Sequence, residues 1–587
     1  MADYAHSRKH GGMKSFSAVD SHTDRKIIRH ACSRLENNMK RYLLRVTFFI
    51  VLVTSLDSVA EPQLERLVKE QRKNDNSNLF ENKIDKKDVL SGLPDDSELT
   101  FELPEEALCY PIDKMIIEDQ FIRLTKISNT VKFFMGKCLG VKGLEKISQV
   151  LQDALIMAGY VTSRVLIPSQ DLSSKRLIMR IVPGRVGDII IENANISKNS
   201  LPFSTGDILN LRHIEQGLEN IQRTPYTQVK IDIVPGGDES QSNIIIKIER
   251  AKTWNVRLVY NNWGEGSTGK NLYSGVGYLY NLARVSDIFY LSGTRSTTGA
   301  YDNVSAYYSL PFGFWAFDLF YNTSHSRQKV NVSAFSFDYL GKNEYFNFKT
   351  SRTLFRDKDK KLSTSVEAIR RKAKYTLGDV NLALQERNMG NFRLAVNYKQ
   401  YFYDATLDVA LGWQRFCRLF GGKKTPDMLS GSVSSNSNII TVNLDYTKWL
   451  EILNRPFFYN MNIGVQYSPD TLTLQDQFSV GGRWTVRGFE NSTGVDGNSG
   501  SYIRNTLNFI TGYHDTLLYV GADYGQVSGT SDLSVSGINT KLAGAVIGGK
   551  GTLESFGYDI SVSVPLMNNA SFENDRFTVS ANFSYQI

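Results

Sequence analysis

Long apolar runs are what this sequence has least of. In 587 residues the one continuous apolar stretch is VTFFIVLVTSL, Val46–Leu56, too short to cross a bilayer as a helix. Together with a mean hydropathy of −0.28, this excludes a bundle of membrane helices. A membrane β-barrel is not excluded, because its strands are apolar on one face only. Charge of one sign is also scarce: 68 Lys+Arg against 60 Asp+Glu leave +8 over the whole length, with no dense basic block. Nothing there points to nucleic acid. Four of the seven histidines fall within residues 1–38. The others, His213, His325 and His514, have no neighbour at metal-ligand spacing; they read as surface or lumen residues, and no metal or other cofactor is expected. Proline is low at 14, whereas 29 Tyr, 32 Phe and 45 Gly are enrichments that favour strands and tight turns.

The apolar stretch follows a basic segment, Met39–Arg45, and precedes DSVA, with Ser58 and Ala60 at the small-residue positions of a cleavage site. That order is a secretory signal peptide over residues 39–60. Either Met39 is the start of translation, or residues 1–38 extend the targeting sequence. The mature chain is expected to begin at Glu61. Export makes the four cysteines readable. Cys32 leaves with the leader; Cys109 and Cys138 lie close together in one small domain and are the expected disulfide; Cys417 is left over.

Residues 61–102 are polar. Leu64, Leu67 and Val68 share one face of a short amphipathic helix in Glu61–Lys73, and a linker follows; a tether and an unstructured N-terminus both fit this composition. Over residues 103–183 the pattern reads strand, helix, helix, strand, strand. Leu144, Ile147, Val150, Leu151, Ala154 and Leu155 recur at the helical period, which Gly159 ends. Over 184–250 the same order returns, which points to a repeat.

From residue 251 onward, segments of about ten residues alternate in polarity between Gly/Asn/Asp/Ser turns. The last segment is the clearest, with Phe577, Val579, Ala581, Phe583, Tyr585 and Ile587 on one face and polar residues between them. Some sixteen such segments, eleven of them before VRGF (residues 486–489) and five after, predict an all-β transmembrane barrel in which VRGF sits in a long connection. GEGSTGK (264–270) matches most of a phosphate-binding loop, but Asn271 stands where Ser/Thr should bind magnesium. It also lies between strands, where a phosphate loop needs a helix N-terminus. It reads as a hairpin turn. No nucleotide, catalytic residue or enzyme activity is expected.

Several stretches in order carry a resemblance: CYPIDKMIIE (109–118), KCLGVKGL (137–144), GYVTSRVLIPSQDLS (159–173), VPGRVGDI (182–189), GDILNLRHIEQGLENIQR (206–223), GGRWTVRGF (481–489) and SYIRN (501–505). The chain resembles the haemolysin secretion/activation (ShlB/FhaC/HecB) family, the outer-membrane transporters of two-partner secretion. The resemblance implies an N-terminal plug helix, two small α/β POTRA (polypeptide-transport-associated) domains in the periplasm of a Gram-negative bacterium, and a sixteen-stranded barrel. It implies that the loop over 469–500 folds back into the lumen. There Arg487 would pair with Asp523 on the barrel wall, Gly488 would permit the tight turn, and Phe489 and Trp484 would pack. It also implies a partner, one large unfolded exoprotein such as an adhesin, haemolysin or contact-inhibition toxin, captured by the POTRA domains and secreted or activated. Outer-membrane lipid and the barrel-assembly machinery would be its other partners.

In the second domain's helix, Leu211, Ile214, Leu218 and Ile221 form the core face, with Arg212, Glu215 and Arg223 outside. These charges either solvate the helix or contact the captured chain. Barrels of this kind usually end in phenylalanine where this chain has Ile587; the terminal alternation is intact, so the expected effect is on insertion efficiency rather than on the fold. The competing reading is a general outer-membrane assembly factor, which shares VRGF and POTRA domains but carries more POTRA repeats than residues 103–250 can hold.

Overall fold

The computed structural model describes residues 106–118, 132–193, 195–250, 252–332, 335–490, 494–529, 540–567 and 576–587. The leader, the cleavage site, the plug helix, the linker and the first of the two helices expected in the first unit lie outside the described residues.

The two small units share one topology. In the first, strand Arg176–Val182 runs centrally, parallel to Lys114–Glu118 and antiparallel to Arg164–Leu166. In the second, Gln241–Arg250 is central, parallel to Arg185–Glu192 and antiparallel to Thr227–Pro235. Among the described residues, one long helix packs on each sheet. The first, Val141–Met157, buries Ile147, Val150, Leu151, Ala154 and Leu155, the helical-period stripe closing a core with Leu177, Met179 and Ile181. Its first residues offer no side-chain cap. Instead the Glu106 carboxylate accepts from the backbone N–H groups of Gly140, Lys142 and Gly143 at 3.0, 2.8 and 2.9 Å, a stabilising place for negative charge. Close by, Cys109 and Cys138 form a disulfide, with Cα atoms 5.3 Å apart. Cys417 is free.

The second helix, Leu211–Gln222, is N-capped by Asn210, whose Oδ1 accepts from Arg212 N at 2.8 Å. Ile214, Leu218 and Ile221 pack on Ile244, Ile246 and Ile248. Its start abuts the first unit, where Leu211 N donates to Gly159 O.

Among the described residues sixteen long strands, with the two-residue Val380–Asn381, close an antiparallel barrel. They run from Trp254–Asn261 to Thr578–Gln586, which returns to pair with the first. Polarity is inverted relative to a water-soluble sandwich. On strand Leu517–Ser528, Leu518 and Val520 are half exposed on the outside, whereas Tyr519 and Asp523 are buried in the lumen. On the last strand Val579 and Tyr585 face outward and Asn582 and Ser584 inward. This is the alternation a lipid-facing wall around a polar interior requires. Residues 264–270 turn between two antiparallel strands.

The helix corrects one expectation. Arg212 and Glu215 do not face water; they are 7 % and 3 % exposed and pair with each other at 2.6 Å. Arg223 Nη2 donates to barrel residue Ser309 Oγ at 2.5 Å. Around them Asn220 Nδ2 donates to Ser200 O and to Gly313 O, both at 2.7 Å. Glu219 is held by Arg356 and, at 2.6 Å, by Lys361, both on the barrel. The helix thus has two buried faces, an apolar one against its own sheet and a polar one against barrel turns whose exposed backbone groups need polar partners. His213 is likewise part of this junction, its ring edge-on to Phe314 at 5.1 Å.

Candidate functional site

The lumen site is made by the connection between strands Arg455–Tyr467 and Ser499–Ile510. Within it Phe478–Val480 pairs with Val495–Gly497 as a small hairpin, and its tip carries GGRWTVRGF. The hairpin is apolar at its centre: Val480, Val486, Phe489 and Val495 pack on Val527 and Leu542 of the wall.

Arg487 and Asp523 meet here. Arg487 Nε donates to Asp523 Oδ2 and Nη2 to Oδ1, each at 2.6 Å, the two-pronged geometry that a guanidinium supports and an ammonium does not. The Arg487 backbone N–H adds a third bond to Oδ2 at 3.0 Å. Nη2 also reaches Thr506 Oγ1 at 3.0 Å and Asn505 O at 3.1 Å. The side chains are 10 % and 0 % exposed. Gly488 has φ +106°, and a Cβ there would lie 2.6 Å from Val564 O; only glycine can turn the tip against that strand. Phe489 lies in the apolar cluster, and Trp484 meets Trp263 edge-on at 6.2 Å.

Several contributors went unassigned in the sequence reading. Arg483 Nη2 donates to Asp559 Oδ2 and Nη1 to Ser580 Oγ, both at 2.6 Å, and its guanidinium stacks 3.8 Å from the Trp263 ring centroid. Asp476, at the base of the loop, binds Arg371 Nη1 at 2.5 Å and Gln414 Nε2 at 2.9 Å on other strands. A Cβ on Gly544 would come within 1.7 Å of Arg487 O, so that glycine clears the seat of the tip. The signal available was phase: Asp559 falls in register with Ser561 and Ser563 on the inward face of an alternating strand, and charge on that face needs a partner. The loop is thus tied across the lumen by three arginine–carboxylate pairs. The cavity beside its tip, about 530 Å³, is lined by Trp263, Arg483, Arg504 and Asp559 among others.

Residues 240–551 match the model of the haemolysin secretion/activation protein ShlB/FhaC/HecB family. The chain belongs to that family. Residues 112–184 match the ShlB-type POTRA domain and residues 181–235 a further POTRA domain. The chain is similar to the outer membrane transporter CdiB-2 of Burkholderia pseudomallei strain 1026b, 28% identical over 516 residues, 82% of this chain and 87% of the relative. The hemolysin transporter protein ShlB of Serratia marcescens is 24% identical over 495 residues, 82% and 87% of the two chains. The solved structure of CdiB from Escherichia coli has the same fold, with a TM-score of 0.78 at 24% identity, covering 90% of this chain and all of that one. The ShlB/FhaC/HecB-family barrel described here is an outer-membrane transporter, with its POTRA domains in the periplasm.

Proposed function

We propose that this transporter takes one large, unfolded exoprotein from the periplasm and passes it outward through its barrel, as a haemolysin, adhesin or contact-inhibition toxin exporter. The observation that carries this reading is that, among the described residues, the lumen holds an in-folded loop fixed to the wall by ion pairs around a small apolar centre. The three pairs are centred on Arg487, Arg483 and Asp476. The space beside its tip has the size of a small-molecule pocket, so a polypeptide passing there requires the loop to leave. The two POTRA sheets, with edge strands Arg164–Leu166 and Thr227–Pro235, suit capture of an extended chain by backbone hydrogen bonding. Arg212 and Glu215, being enclosed, are not the contact points; Arg223 is committed to the barrel. Outer-membrane lipid covers the apolar outer wall, and insertion uses the cell's barrel-assembly machinery.

Deleting the gene and comparing secreted proteins tests the reading. One large protein is expected to vanish from the medium with other outer-membrane barrels unchanged. A general fall in outer-membrane barrels, with no single exoprotein lost, would overturn it in favour of an assembly factor.

A further inference from the structure

Arg504 has no assigned role, and its placement gives it one. It stands on strand Ser499–Ile510 directly opposite Asp523 in the antiparallel register, and both residues border the lumen. Side chains so placed are near neighbours on one face of a sheet. Yet Asp523 is engaged by Arg487, from the loop. Among the described residues Arg504 makes one hydrogen bond, from Nη1 to the carbonyl of Trp484 at 3.4 Å, and its buried Nε makes none. Its electrostatic neighbours are Arg487, which repels it, and Asp523, which attracts it.

Two facts therefore coincide. The partner of Asp523 and the one hydrogen-bond partner of Arg504 both belong to the same loop, so withdrawing the loop orphans both at once. The two orphans are cross-strand neighbours of opposite charge on a wall that stays behind. A carboxylate stranded in a partly dry lumen is costly, and a guanidinium already beside it removes that cost.

We propose that Arg504 is the reserve partner of Asp523: when the loop leaves, Arg504 takes the carboxylate that Arg487 gives up. Arg487 and Arg504 thus exchange on a single acid. The exchange lowers the energy of the withdrawn state, while repulsion between the two cations raises that of the seated state. Arg504 is a positioning residue for transport, acting through Asp523 and not on the exoprotein.

The inference rests on the transport reading above, in which the loop leaves its seat. Its test uses the purified full-length transporter alone, so a mistaken exoprotein assignment cannot sink it. Channel openings in planar lipid bilayers report loop withdrawal, and the heat-induced gel shift reports the folded barrel. Arg504→Ala is expected to cut the frequency of large openings about tenfold while the folded barrel persists, and Arg504→Lys to restore most of it. In an Asp523→Asn background, Arg504→Ala is expected to change nothing further. Arg487→Ala/Arg504→Ala is expected to unfold at a lower temperature than Arg487→Ala, because Asp523 then has neither cation. Wild-type opening frequency in Arg504→Ala, an undiminished effect in the Asp523→Asn background, or equal unfolding temperatures for the double and single variants would each overturn the exchange.

Discussion

The lumen loop and the second POTRA helix are both fixed to the barrel by arginine and carboxylate, and they are fixed in different ways. At the loop tip, Arg487 depends on one acid. Asp523 is enclosed and receives Arg487 through two guanidinium nitrogens and a backbone N–H. The helix depends on a shared network that runs from enclosed Arg212, Glu215 and Arg356 out to the more exposed Glu219 and Lys361, with the two glutamates dividing the three cations between them. Glu219 remains nearly half exposed. A single enclosed pair releases the tip all at once when either member is lost: without Asp523 the Arg487 guanidinium has no carboxylate, and without Arg487 the carboxylate is left to Arg504 on the wall. A distributed, partly wet network loses strength in steps, each screened by solvent.

The largest effect should come from breaking the single pair. Asp523→Ala leaves Arg487 without its acid and should cost the seated loop about 3–5 kcal/mol, the range for a buried pair stripped of one partner. Exoprotein in the medium, normalised to barrel in the outer membrane, should collapse in Asp523→Ala and Arg487→Ala, and Arg487→Lys should not restore it. Normal secretion by Arg487→Ala would mean that the tip anchor is dispensable.

A covalent tie gives the comparison a third term. Cys109–Cys138 closes a segment with a sequence separation of 29 in the first POTRA domain, and the chain-entropy model assigns such a loop roughly 3–4 kcal/mol. Cys109→Ser/Cys138→Ser should make that domain protease-sensitive while the barrel's heat-induced gel shift stays as in the parent. Equal protease resistance would show the bridge to be unimportant to that domain.

Next comes the seat of the tip. Gly544→Ala puts a methyl group into the Arg487 carbonyl, an overpacking that costs about 1–3 kcal/mol. Bilayer recordings should show more frequent large openings with the ion-pairing residues all intact. Unchanged recordings would mean that the tip tolerates displacement.

The smallest effect belongs to the helix junction, and pH sharpens it. Desolvation against the barrel raises the Glu219 carboxyl although the side chain keeps contact with water, but Lys361 and Arg356 outweigh that and hold it well below the usual carboxylate range. Burial, opposed more weakly by Asp207, lowers the His213 imidazole below its ordinary value of 6.5. Both folded-state values are depressed, so both contributions are present above the unfolded values and fade as pH falls. The histidine part is lost first, below about 6.5; the glutamate part starts to go only below 4.5. The protection of amides in Leu211–Gln222, taken relative to their intrinsic exchange rates at each pH, should therefore fall modestly from pH 7.5 to 5.5, and His213→Phe should blunt the change. Protection that does not change with pH would rule out this coupling.

The sequence by itself determined the architecture. Alternation over about ten residues forces a barrel once one face meets lipid, and the strand count on each side of VRGF puts that motif in a lumen-facing connection. The 3.6-residue stripes placed both POTRA helices, because each needs one apolar face for its own sheet. Arg487 and Asp523 were legible through the family resemblance, since no local pattern links residues 36 positions apart. Only the tertiary structure decided where charge meets charge across elements. Helix periodicity marks an apolar face and says nothing of what covers the polar one, so Arg212 and Glu215 were read as outside, solvating the helix or touching the captured chain, and were found enclosed against the barrel. For the same reason Arg483 and Asp476 carried no visible partner: their acid and base sit on strands brought near by barrel closure and by the loop's return into the lumen. Those distances are set by the curvature of the wall and the reach of the loop, and neither is written in any short stretch of residues.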